Sequence, residues 1–84
     1  METSTVNYRT LIVTFAEPIR TLDNIFDDAD VWGVASLKEW IDSYESTRFT
    51  QIARNRAVIT SEYNMDYVKE WLERHTTIDN QLSA

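Results

Sequence analysis

The chain has no cysteine, and its 84 residues include one glycine, one proline and one histidine. Without cysteine there is no disulfide framework, no thiolate zinc site and no cysteine nucleophile. His75 is the sole imidazole, so metal sites built on several histidines are excluded, and any Ser–His–acid triad would have to use it. Its place near the end of a helical pattern favours packing or capping over catalysis. Gly33 alone cannot form a Gly-rich phosphate cradle, which removes dinucleotide-fold and P-loop readings. No apolar run approaches the ~18–20 residues of a membrane span. The opening residues METSTVNYRT lack the apolar core of a signal peptide. A soluble, cytoplasmic protein without a cofactor is expected.

What is present is aromatic and acidic. Hydrophobic residues make up 43%, with three Trp, four Tyr and three Phe, which is enough to fold. At this length the chain is expected to be one domain, burying ~60% of its unfolded surface. Residues 1–5 and 77–84 are polar and read as loose ends. Eight carboxylates fall between Glu17 and Glu45 against Arg20 and Lys38, so that stretch carries −6, the net charge of the whole chain. A pI near 4.5 argues against direct nucleic-acid binding, which needs clustered Lys and Arg.

Asn7–Phe15 is rich in β-branched and aromatic residues and reads as a strand, with Leu11-Ile12-Val13 suited to a sheet interior. Pro18 suits a first helical position, and Ile19, Leu22, Ile25 and Phe26 then recur at helical spacing. A turn is expected over Asp28–Gly33. Ser36 and Glu39 have the spacing of a capping box, opening a second helix with Leu37, Trp40, Ile41 and Tyr44 inward. Arg56–Ser61 reads as a strand. Arg48–Ala53 is open to either a helix or a strand, and a hairpin across Arg54-Asn55 is preferred because Asn tolerates left-handed backbone. Asn64 is expected to cap a last helix with Met65, Val68, Trp71, Leu72 and His75 on one face. In that helix Glu70–Arg74 and Lys69–Glu73 are spaced to pair. The pentapeptides Lys38–Asp42 and Lys69–Glu73 are nearly alike, yet their flanks do not repeat, so convergence explains them better than duplication.

The fold predicted is α+β, in the order β-α-α-β-β-α, with helices packed on one face of a two- to three-stranded sheet.

Asp28, Asp30, Gly33 and Glu39 fall at loop positions 1, 3, 6 and 12 of a calcium loop and lie between helical patterns. Over those 12 residues the segment resembles the EF-hand loop, with Asp28, Asp30 and Glu39 as the implied ligands. It departs at position 5, where Trp32 replaces an oxygen-bearing residue, and a capping box with an acidic run accounts for the same residues. Trp32 itself is not needed to complete a helix stripe. It reads either as folded over the core edge or as an interface anchor, since Trp is enriched among hot spots.

The leading functional expectation is a non-catalytic, acidic protein-interaction module with a basic protein partner. By analogy of size and charge alone, it is of the kind that occupies a nucleic-acid-binding surface, as phage anti-restriction and anti-CRISPR inhibitors do. The expected contact residues are Asp23, Asp27, Asp28, Asp30, Trp32, Glu39, Asp42 and Glu45. A small regulatory or structural subunit is the alternative. It could be a homodimer in which Arg48, Arg54 and Arg56 meet the acid of a second copy. Calcium binding ranks third and enzymatic activity last.

Overall fold

Alternating burial along Arg9–Phe15 shows how the sheet is organised. Leu11, Val13 and Phe15 are fully buried, whereas Thr10, Ile12 and Thr14 between them are half-buried. A strand sends successive side chains to opposite faces, so one face of the sheet is core. The computed structural model describes residues 8–27 and 29–83. The expectation for residues 1–5 lies outside this range.

In chain order the elements are β1 (Arg9–Phe15), α1 (Ile19–Leu22), a 3-10 turn (Asp23–Phe26), α2 (Ala29–Trp32), α3 (Leu37–Asp42), β2 (Thr47–Ala53), β3 (Arg56–Ser61), α4 (Met65–His75) and β4 (Ile78–Ser83). The sheet has four antiparallel strands in the order β2-β3-β1-β4. β1 is therefore interior, as its composition implies. β1 separates β3 from β4, and β3 separates β1 from β2, which is the connectivity of two interleaved split β-α-β units, the ferredoxin-like plan. The core joins Leu11, Val13, Phe15, Phe49, Ala57 and Ile59 from the strands to Ile19, Leu22, Phe26, Leu37, Ile41, Val68 and Leu72 from the helical segments.

The structure corrects the predicted sheet in its strand count. Residues 78–83 are not a loose tail. They form β4, paired with β1 from Phe15↔Ile78 to Leu11↔Ser83. The sequence Ile-Asp-Asn-Gln-Leu-Ser is poor in β-formers, so local propensity does not announce it. Its partner supplies the reason, because without β4 the central strand would leave one row of backbone groups unpaired.

The β2–β3 hairpin forms across Arg54-Asn55 as preferred, with Ala53 opposite Arg56. Its turn does not use left-handed Asn, since Ser46 (φ 56°) is the one non-glycine with positive φ among the described residues. A bulge between Gln51 and Ala53 adjusts the register instead. Asn55 has another task. Phe15 N donates to Asn55 O at 2.8 Å, and Asn55 Nδ2 donates to Phe15 O at 2.9 Å. With Ile19 N donating to Arg54 O at 2.9 Å, the hairpin tip fastens the exit from β1.

Between β1 and β2 the two expected helices become four short pieces. Pro18 is the N-cap of α1 rather than its first residue, and α2 occupies part of the expected turn. Ser36 Oγ accepts from Glu39 N at 3.2 Å, which is half of the capping box. The reciprocal half is displaced by one residue, because the Glu39 carboxylate accepts from Ala35 N at 2.9 Å. Gly33, at φ 79°, supplies the left-handed turn between α2 and α3. Asn64 holds the N-cap position of α4 but makes no side-chain cap; its Nδ2 donates to Glu45 O at 2.8 Å.

Candidate protein-interaction site

The acidic stretch was expected to be a free surface, yet several of its carboxylates hold backbone. Asp23 Oδ1 accepts from Leu37 N at 2.9 Å and so orients the start of α3 from fourteen residues away. Asp42 Oδ1 accepts from Phe49 N at 2.8 Å, while its Oδ2 receives Lys38 Nζ at 2.7 Å. Lys38 Nζ also donates to Phe49 O at 3.2 Å, so this ion pair clips α3 to β2. Glu39 is occupied by Ala35 N. Leu37 N is an unpaired first-turn donor of the short helix α3, Ala35 N lies just before it and Phe49 N is in strand β2, and these carboxylates supply their acceptors. Asp27 and Glu45 are exposed and are the freest of the expected contacts. Asp28 lies outside the described residues, as does the side chain of Asp30.

Trp32 does not stand clear of the core. Its half-buried ring meets Trp40 edge-on at 5.3 Å, Phe26 at 5.5 Å, His75 at 5.6 Å and Trp71 at 6.2 Å. Trp71 is buried, and its ring stacks with Phe26 at 5.8 Å and with His75 at 4.7 Å. The two similar pentapeptides thus deliver their tryptophans to one place, with Trp40 and Trp71 at 5.6 Å. His75 stays on the same face of α4 as Trp71, as expected, but at its exposed rim, where its ring covers the outer side of the cluster. Burial pushes the Tyr44 phenol above its ordinary pKa; an interaction with Trp40 opposes the shift and the Glu70 charge adds to it. In α4 the Glu70–Arg74 pair forms at 3.3 Å. Glu73 accepts from Gln81 Nε2 of β4 at 3.1 Å, and the Lys69–Glu73 pair is not formed.

A family model described as a domain of unknown function, DUF6956, matches residues 4–83. The chain belongs to this family. No curated protein and no solved structure matches it. For this DUF6956 member the chemistry of the site has to come from its own geometry.

That geometry separates charge. Of the twelve described carboxylates, eleven lie on the helical segments and their loops, with four cations among them, Arg20, Lys38, Lys69 and Arg74. Strands β1 to β3 and the hairpin turn carry Arg9, Arg48, Arg54 and Arg56 and no acid. Among the described residues, no three His, Asp or Glu side chains are grouped to share a metal ion. The EF-hand resemblance meets a helical turn at Ala29–Trp32, and its twelfth-position residue, Glu39, is engaged by Ala35 N. A groove of about 640 Å³ opens at the α3–β2 connection, beside Tyr8, Ser46 and Arg48. No described helix is long and apolar enough to cross a membrane.

The sequence reading missed two things about this site. It did not anticipate that Asp23, Glu39 and Asp42 serve the backbone, although acids flanking Ser36 and a short apolar stripe were a signal. Nor did it bring Phe26, Trp32 and His75 together, because their contacts cross three separate elements.

Proposed function

We propose that the protein is a non-catalytic interaction module that uses its acidic helical layer to engage a basic protein surface. The observation that supports it is the charge separation, with eleven described carboxylates against four cations on the helical segments and loops. Such a field raises encounter rates with a cationic partner and disfavours polyanions. An inhibitor covering a nucleic-acid-binding surface is the specific form this reading takes, acting in the cytoplasm. The contact set shifts towards the uncommitted acids Asp27 and Glu45 and the exposed half of Trp32, because removing Asp23, Glu39 or Asp42 would disturb the scaffold as well.

The test is capture of host proteins on the immobilised chain, eluted in salt steps and identified by mass spectrometry. Basic nucleic-acid-binding proteins should release at low salt steps and should be lost on Asp27→Lys/Glu45→Lys, a double variant at exposed positions that should melt like the parent. Retention that is indifferent to both salt and charge reversal would refute the proposal. A second reading, a regulatory or structural subunit, is favoured by one separate observation, the carboxylate-free outer face of β1 to β3.

A further inference from the structure

The outer face of the sheet has its own pattern, set by register. Ile12 pairs with Leu82 on one side and Val58 on the other, and Val58 pairs with Thr50. Directly opposed residues share a face. A row Leu82–Ile12–Val58–Thr50 therefore crosses all four strands at their middle. On one flank lie Thr10, Thr60 and Arg48, and on the other Asn80, Thr14 and Arg56. None of these residues is buried, Leu82 is 58% exposed, and none is a carboxylate. Arg56 lies flat, its Nε donating to Thr14 Oγ1 at 3.0 Å.

We propose that this face pairs with the same face of a second copy, giving a weak twofold dimer with both acidic layers outward. Two observations favour a copy of the chain over another occupant. Copies carrying −6 each repel, and on this face the strand residues carry no carboxylate, the nearest, Asp42 and Glu45, lining the groove at one edge. The row is also self-complementary. A twofold axis along it places apolar row on apolar row, and sets Arg56 of one copy over the Thr60 flank of the other rather than over its arginine. A polynucleotide is the poorer fit, because the face offers two cations and one flanking aromatic, Tyr8, and the groove where Tyr8 meets Arg48 and Thr60 is also lined by Asp42 and Glu45. Four strands at ~4.8 Å spacing and about six residues of ~3.4 Å each span roughly 400 Å² per copy, below the ~800 Å² per partner of a stable complex. The dimer should therefore be weak and populate only at high concentration.

The proposal does not rest on the acidic layer binding a partner, so the two can fail separately. Sedimentation equilibrium of the full chain from about 10 µM to 1 mM, at about 50 and 500 mM NaCl, reads it directly. The weight-average mass should climb towards two chains, and salt should strengthen association several-fold by screening the net charge. Leu82→Glu and Thr50→Glu change exposed positions, so both should melt like the parent and stay monomeric at the highest concentration. Asp27→Lys, on the helical layer, should dimerise at least as well as the parent. A parent chain monomeric throughout would overturn the proposal. So would a dimer that salt weakens or that Asp27→Lys abolishes, since acid would then be docking on arginine. Binding of a single-stranded oligonucleotide that Arg48→Ala and Arg56→Ala remove, without self-association, would assign the face to a polyanion instead.

Discussion

Truncating Trp32 separates a packing residue from a free contact residue. The indole is half-buried and touches Phe26, Trp40, Trp71 and His75 with centroid distances between 5.3 and 6.2 Å. An aromatic side chain buries ~150–250 Å² when enclosed, so about 100 Å² is at stake here. At ~25 cal/mol per Å² that area is worth ~2.5 kcal/mol. The edge-to-face contacts add about 0.5–1.5 kcal/mol where the neighbours cannot close the gap. Trp32→Ala should therefore cost ~3 kcal/mol. In a domain of this size each kcal/mol lowers the melting temperature by ~4–8 °C, so a fall of ~12–24 °C is expected. Thermal melts followed by circular dichroism, with urea unfolding for the free energy, provide the measurement. Val31→Ala is the control, because Val31 sits on the same short helix and is 71% exposed; its melt should shift by no more than ~2–3 °C. If Trp32→Ala melts with the parent while Trp71→Ala collapses, Trp32 is not packed, and it reverts to the free anchor that its sequence context allowed.

Two further perturbations test the scaffold. Asp42→Ala orphans Phe49 N and releases Lys38, and should cost ~1–3 kcal/mol in urea unfolding, whereas Asp42→Asn keeps an acceptor oxygen and should cost less. Ending the chain at Thr77 removes β4 and bares one edge of β1, so the shortened chain should aggregate or lose cooperative unfolding; a soluble, cooperatively melting product would show that β4 is not needed to complete the sheet.

Elements whose apolar pattern matched their environment were legible in the sequence. Leu11, Val13 and Phe15 alternate because β1 has one core face, and Met65, Val68, Trp71 and Leu72 recur at helical spacing because α4 packs along one stripe. The elements that escaped are set by distant partners. β4 contains Asp79 and Asn80, which disfavour strands, and exists because β1 offers it a ladder. The stretch from Pro18 to Asp42 reads as two helices from Ile19, Leu22, Phe26, Leu37 and Ile41, but periodicity alone does not show that the chain must bend between them. The bends seat Phe26 and Trp32 against Trp71 of α4, a contact spanning about half the chain. The site was legible as a charge excess and not as a set of contacts, since a carboxylate on a backbone N–H and one facing solvent look identical in sequence.

That distinction decides how the acidic layer can act. A net charge of −6 over Glu17–Glu45 suggests a uniformly repulsive surface, yet Asp23, Glu39 and Asp42 are each tied to a backbone donor, and Asp42 is paired with Lys38 as well. Those three carboxylates cannot rotate to follow a partner without giving up those backbone donors. On the proposed reading they would contribute long-range attraction, while close contact would fall to Asp27, Glu45 and the outer half of Trp32. Salt would then weaken approach to a basic partner through the whole layer, whereas single substitutions would weaken the complex mainly at the uncommitted residues. The opposite face follows different physics. With threonine, two arginines and a short apolar row, it would gain from screening where the helical layer would lose. If both proposals hold, ionic strength should push the two surfaces in opposite directions, and a salt series would report which of them a measured association uses.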